Sequence, residues 1–106
     1  MSAVHLTGLL VCKTADEATI VARHLPEHIE LTRAETGCLS FEVTPTADPM
    51  VWAVDEHFAN EHAFRLHRER TADSNWGRAT VGIERRYSFS ERVGEDWRPT
   101  GQESEE

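Results

Sequence analysis

Residues 31–67, LTRAETGCLSFEVTPTADPMVWAVDEHFANEHAFRLH, predict the end of a helix, a hairpin of two strands and the start of a second helix. Gly37 follows a helical run, and glycine most easily adopts the left-handed conformation of a helix C-cap. Leu39, Phe41 and Val43 then alternate with polar residues, which is the period of a strand with one apolar face.

The second half of this stretch completes the hairpin. Residues 44–49, TPTADP, have the composition of a turn, in which the Asp can bond its own backbone. Residues 51–58 resume the strand pattern, and Asn60 is a preferred N-cap for a helix over about 60–71. A helix, a hairpin and a helix in this order predict an α+β sandwich.

The flanking segments supply two more strands and a first helix. Strand one is predicted over 5–13, and strand four over 83–90. Between strand one and the hairpin, the first helix should start at Asp16 and Glu17, where acidic side chains favour the helix dipole. Pro26 should kink this helix or split it. The apolar face of the helix consists of Ala18, Val21, Ala22, Leu25 and Ile29.

The element order βαββαβ predicts a ferredoxin-like fold with a four-stranded antiparallel sheet in the order 4-1-3-2 and both helices on one face. The other face of such a sheet needs a cover, and a second copy of the chain is the simplest one, which predicts a homodimer. Cys12 and Cys38 lie on strands that are not neighbours in this order, so free thiols are expected.

Composition limits the classes of function. The 106 residues fit one domain over 1–92, followed by an acidic tail over 93–106 that is predicted to be disordered. Trp97 is the residue of that tail that is expected to dock on the domain. A net charge of −8 argues against nucleic-acid binding. No apolar run approaches the length of a membrane span and no leader pattern precedes strand one, so the cytoplasm is expected.

Several of these residues form a pattern that resembles the antibiotic biosynthesis monooxygenase domain family. The pattern comprises residues 32–43 (TRAETGCLSFEV), the DPMVW of residues 48–52, Glu56, Phe58 and the AFRLH of residues 63–67. Members are dimeric α+β barrels of ferredoxin-like fold, similar to quinol monooxygenases.

The resemblance implies a monooxygenase that acts on a polycyclic or quinol-type aromatic with molecular oxygen and without a metal, flavin or other cofactor. It also leaves two alternatives open: a non-catalytic dimeric domain that binds a small ligand, and a polyketide cyclase or isomerase of the same superfamily. Haem-degrading members are least similar, because strand one lacks their Asn and His67 stands at the position of their helical Trp.

Three residues are candidates for catalysis: His67, Trp76 and Glu56. His67 shares the inward face of the second helix, where it could act as a base or equally be a core histidine. Trp76, which a short helix capped by Ser74 or Asn75 would carry, could stack on an aromatic ligand or cover the core. Glu56 lies on the buried side of its strand and needs a partner such as His67 or Arg86.

Other residues are expected near the substrate or elsewhere. The candidate substrate-binding residues are Phe64, Trp52, Asn75 and Tyr87. Arg33 and Glu35 are expected at the surface or in dimer contacts. His24 and His28 are one turn apart, but Pro26 lies between them and a solvated pair is favoured over a metal site. The five-residue spacing of His57, His62 and His67 makes them diverge on a helix, so no metal site is predicted.

Overall fold

A five-stranded antiparallel sheet carries three helices on one face in the computed structural model, which describes residues 2–105 and side chains as far as residue 101. The elements are β1 (Val4–Val11), α1 (Ala15–Arg33), β2 (Cys38–Pro45), β3 (Val51–Phe58), α2 (Glu61–Ala72), α3 (Asn75–Ala79), β4 (Glu84–Val93) and β5 (Asp96–Glu105). The sheet order is β2-β3-β1-β4-β5, which confirms the predicted order of the first four strands and the α+β, ferredoxin-like fold. Across residues 2–105, no helix has the length and apolar character that crossing a membrane requires.

The strand count differs from the prediction, because residues predicted as a disordered tail form β5 on the edge of β4. Gly94 connects the two strands through a two-residue loop with a φ of 64°, the conformation that a type II′ hairpin turn needs at its first residue. Trp97 docks edge-on against the rings of His5 and His57, at centroid distances of 5.6 and 5.8 Å. The domain boundary at residue 92 stays a prediction.

Helix capping follows the sequence closely. Thr14, Asn60 and Ser74 are the N-caps of α1, α2 and α3, and each side chain accepts a hydrogen bond from the backbone three residues on. Pro26 does not split α1, which is continuous from Ala15 to Arg33. Pro26 lies on the exposed side of the helix, where water can bond the carbonyl that a proline nitrogen leaves unpaired.

Two predictions around the start of β2 were wrong. Positive φ angles occur among residues 2–105 at Gly82 and Gly94, so Gly37 is not a left-handed cap. Gly37 is needed for space instead, since a β-carbon there would lie 2.2 Å from that of Ala63 on α2. Leu39 is exposed rather than buried, because a bulge between Cys38 and Ser40 leaves it as the extra residue of the strand.

The strand register divides the sheet into two distinct faces. Opposite residues on neighbouring strands share a face, and Leu6 of β1 pairs with Glu56 of β3 and with Phe89 of β4. This side faces the helices and is called the helix face; it carries most of the core, whose largest buried members include Phe41 and Leu10. The opposite side, the outer face, carries His5, Thr7, Leu9, Asp55 and His57.

The two cysteines are free, as the strand order predicted. Cys12 follows β1 and is buried, whereas Cys38 starts β2 and is partly buried.

Gly8, in the middle of the central strand, offers a test of the packing on the helix face. A β-carbon at this position would lie 2.1 Å from the backbone oxygen of Arg86 and 2.8 Å from the ring of Tyr87. We therefore expect Gly8→Ala to lower the free energy of unfolding by about 1–3 kcal/mol, the usual cost of overpacking. Urea denaturation measures this loss, with Gly101→Ala as the control, because its nearest neighbour would be 4.0 Å away. Equal stability of the two variants would contradict the described packing.

Candidate functional site

A cavity of about 270 Å³ lies between the helix face of the sheet and the helices. Leu6, Leu10, Phe41, Val43 and Val54 form its floor on β1, β2 and β3. Glu56 of β3 also belongs to the floor, and the remaining wall is formed by His28, Phe64, His67, Arg68, Thr71, Ala72, Trp76, Gly77, Val81, Gly82, Arg85 and Tyr87. An apolar cavity with a few polar groups facing into it is the usual form of a small-ligand site.

Glu56 is a buried acid on the floor of this cavity. Strand alternation places it on the helix face with Trp52 and Val54, as the sequence predicted, and only 6% of the residue is exposed. Burial raises the pKa of the Glu56 carboxyl to about 8, and the positive charge of Arg68 only partly opposes this effect. The carboxyl is therefore largely protonated at neutral pH and can donate a hydrogen bond.

His67 projects from α2 towards Glu56. Its Nδ1 lies 2.8 Å from Oε1 of Glu35, and its Nε2 lies 3.7 Å from Oε1 of Glu56. Burial lowers the pKa of the His67 imidazole, while the charge of Glu35 and its hydrogen bond act in the opposite direction. His67 is thus a neutral imidazole near neutral pH, next to a neutral carboxyl.

Glu35 follows α1 and turns inward, which corrects the expectation that it forms surface or dimer contacts. Its second carboxylate oxygen, Oε2, lies 2.5 Å from Nε of Arg70, and Nη2 of Arg70 donates to Oγ1 of Thr32 at 3.0 Å. Thr32 is fully buried in the last turn of α1. The group Thr32, Glu35, His67 and Arg70 therefore clamps the end of α1 to α2. Arg33 behaves as predicted at the surface, where it pairs with Glu42.

Trp76 and His28 form the part of the wall beside His67, whose ring centroid lies 5.8 Å from that of His28. Their rings stack with a centroid distance of 4.7 Å and an interplanar angle of 3°. His28 is buried, so the expected solvated pair with His24 was wrong; burial and the neighbouring cationic groups lower the pKa of His28 to about 3. Within the described part of the chain, His28 Nδ1 is one of two buried side-chain polar atoms without a hydrogen-bond partner.

The structure brings together five of the seven site residues that the sequence singled out. Glu56, Phe64, His67, Trp76 and Tyr87 all line the cavity. Trp52 is buried in the core beside it, and Asn75 lies outside, where its amide contacts Glu27 and Arg78. Arg86, considered as a partner for Glu56, points to the outer face and pairs with Glu84.

Sequence reasoning missed His28, Glu35 and Arg70. A signal for His28 was present, because the buried residues of α1 are Val21, Leu25, His28 and Thr32, with helical spacings of four, three and four. No sequence pattern predicts the inward orientation of Glu35, because it lies on an irregular segment between α1 and β2. The path of that segment depends on how α2 packs against α1.

A second cluster of titratable groups lies on the outer face. His5, Asp55 and His57 could each offer a metal ligand, and the distance from Asp55 Oδ1 is 3.1 Å to His5 Nε2 and 3.5 Å to His57 Nδ1. The two rings are stacked at 3.8 Å and tilted by only 7°, so no ion could lie in the planes of both. Ser40 Oγ also lies 2.9 Å from His57 Nδ1, the nitrogen that faces Asp55, so these residues do not form a nucleophilic triad.

Comparison with known proteins adds information about ancestry and fold. The model of the family described as antibiotic biosynthesis monooxygenase matches residues 13–76. Protein Rv0793 of Mycobacterium tuberculosis has 24% identity and a TM-score of 0.66 over 90% of this chain and 97% of its own. A Deinococcus radiodurans protein provisionally named antibiotic biosynthesis monooxygenase has 21% identity and a TM-score of 0.65 over 92% and 99% of the two chains. These likenesses support the fold, and no curated protein sequence matches the chain significantly.

The protonated state of Glu56 generates a stability test. Unfolded Glu56 titrates near 4.5, whereas burial holds the folded pKa at about 8, so the folded protein binds more protons between these values. Rising pH across this interval therefore destabilises the wild type through Glu56, and Glu56→Gln removes that effect. The variant should gain stability relative to the wild type as pH rises, by on the order of a few kcal/mol.

Denaturation of both proteins at intervals from pH 5 to pH 8 measures this difference, and Glu30→Gln on the exposed side of α1 is the control. A difference between Glu56→Gln and wild type that does not change with pH would show that Glu56 is ionised in the folded protein.

Proposed function

The chain belongs to the antibiotic biosynthesis monooxygenase family, and on this premise we propose that it oxygenates a quinol-type aromatic with molecular oxygen and without a cofactor. The observation that carries the proposal is the pair of neutral polar groups, Glu56 and His67, that lie next to each other in the lining of an apolar, aromatic-lined cavity. Such a cavity can bind an uncharged phenol and still offer it a base.

The proposed chemistry begins with a proton transfer. His67 Nε2 takes the proton of a substrate hydroxyl, and the resulting anion is electron-rich enough to transfer an electron to oxygen. The neutral carboxyl of Glu56 donates a hydrogen bond to the oxygen on which negative charge develops. The oxygen–oxygen bond then breaks: one oxygen atom forms a C–O bond at a ring carbon that loses its hydrogen, and the other leaves as water. The quinol thereby becomes a hydroxyquinone and supplies all four electrons, so the reaction needs no external reductant.

The size of the cavity favours a small substrate over a large polycycle. An apolar cavity of about 150 Å³ can hold one benzene ring, and this one measures about 270 Å³. We therefore propose a substrate of one or two rings. In this proposal Phe64, Trp76 and Tyr87, which line the cavity, contact the faces and edges of the substrate. Trp52 and Asn75 lie outside the cavity lining.

A second candidate, a cyclase or isomerase, uses the same residues. A base and a protonated carboxyl in one cavity can also move a proton between two positions of an enolisable ring, which requires no oxygen. A binding domain without turnover is the third candidate.

We also propose that the chain forms a homodimer through the outer face. The family is generally dimeric, and this face carries Leu9 and Trp97, which are large apolar side chains with 38% and 41% exposure. Contact with a second outer face would remove this apolar surface from water.

Oxygen uptake with small hydroquinones tests the proposed reaction. His67→Ala should lower the rate by about 100-fold or more, because it removes the base. His62→Ala, on the exposed side of the same helix, should leave the rate unchanged. Product formation without oxygen would identify a cyclase or isomerase, and quenching of tryptophan fluorescence without turnover would identify a binding domain. An unchanged rate in His67→Ala would rule out its assigned role.

The dimer has its own test. Light scattering at micromolar concentration should give twice the mass of the chain, and Leu9→Glu should yield a monomer because a charge would be buried in the interface. Leu66→Glu is the matched control, since Leu66 is also exposed but lies on α2. A monomeric wild type, or a Leu9→Glu variant that remains dimeric, would contradict the assigned interface.

A further inference from the structure

We infer that Glu35 is a positioning residue for His67, and that it holds the imidazole with its proton on Nδ1 and its Nε2 lone pair towards the cavity. This inference rests on the proposed function, because it assigns to His67 the part of a base. It extends that proposal to a residue that does not touch the substrate.

The geometry of Glu35 fixes which nitrogen carries the proton. A carboxylate oxygen only accepts hydrogen bonds, so the 2.8 Å contact between Glu35 Oε1 and His67 Nδ1 requires Nδ1 to be the donor. The second oxygen of Glu35 is held by Arg70, which is itself bonded to the buried Thr32. Glu35 therefore has little freedom to turn away from the imidazole.

The other nitrogen of His67 faces the cavity. Thr71 Oγ1 lies 3.5 Å from this nitrogen, Nε2, and Glu56 Oε1 lies 3.7 Å from it. Both distances exceed that of an ordinary hydrogen bond. Nε2 is thus the nitrogen that a substrate hydroxyl can approach, while Nδ1 is occupied.

Glu35 also makes protonation of His67 possible. The other groups around the imidazole disfavour a positive charge there: burial removes water, and Arg68 and Arg70 repel a cation. Glu35 supplies the opposing negative charge, through both its field and its hydrogen bond. The titratable and charged groups that face the site are Glu35 after α1, His28 on α1, Glu56 on β3, Arg68 and Arg70 on α2, and Arg85 on β4.

A purely structural role for Glu35 makes different predictions. If Glu35 only joined α1 to α2 through Arg70, its replacement would change stability but not the titration of His67. A positioning role requires that the protonation of His67 depends on the charge of Glu35.

Nitrogen NMR of the wild type gives the first test, and it needs neither substrate nor variant. At pH 7 the ¹⁵N shifts of His67 should show a proton on Nδ1 and a bare Nε2. A proton on Nε2 would overturn the inference.

The second test compares Glu35→Gln with wild type by titration and by kinetics. Removal of the negative charge should lower the pKa of His67, so the fall in rate on the acid side should move to lower pH. The kcat should drop by about tenfold or more, with little change in KM. Glu35→Asp should recover part of both effects, and Glu30→Gln should resemble the wild type. An unchanged His67 titration in a folded Glu35→Gln variant would refute the positioning role.

The two proposals can fail separately. Absence of oxygen uptake in the wild type would end the monooxygenase proposal while leaving the NMR measurements decisive for Glu35. Normal oxygen uptake with a proton on Nε2 would end the Glu35 inference alone.

Discussion

The register of β1 with its two neighbours is the constraint on which the rest of the structure depends. It sets Leu6 beside Glu56 and Phe89. The side chain of Glu56 therefore points into the apolar space between the sheet and the helices. A shift of one residue would exchange the faces, placing Asp55 and His57 inside and Glu56 in contact with water. The space occupied by Gly8, between the backbone of β4 and the ring of Tyr87, helps to hold the strands in this register.

Burial then determines the charge states of the site. Glu56, His28 and His67 are each disfavoured as ions because water is excluded from the space between helices and sheet. The ion pair of Glu35 with Arg70 lies nearer the surface, where both side chains are partly exposed. The interior thus holds acid–base groups that are neutral, and one of them, His67, is hydrogen-bonded to the charged side chain of Glu35. Such an arrangement is typical of proton-transfer sites.

The sequence predicted features that depend on local chemistry and strand period. Asn60 as a cap, Glu56 and Trp76 on the buried side and the order of the first four strands could all be inferred from residue type and spacing. Features that depend on contacts between distant elements could not. The bulge at Leu39 reverses the alternation, and the role of Gly37 follows from the approach of α2. The strand β5 could not be predicted from composition, because an acidic segment that resembles a disordered tail can still pair with a strand edge through its backbone.

The positions of the three tryptophans give the protein a set of built-in optical labels. Trp52 is buried in the core, Trp76 lies in the cavity wall against His28, and Trp97 lies on the outer face of the sheet. Each indole is thus placed to report a separate event: unfolding for Trp52 and, under the functions proposed above, ligand entry for Trp76 and association of two chains for Trp97. Because burial lowers the pKa of His28 to about 3, protonation of this neighbour should not change the emission of Trp76 near neutral pH. Variants that retain a single tryptophan would therefore separate three fluorescence signals that overlap in the spectrum of the natural protein.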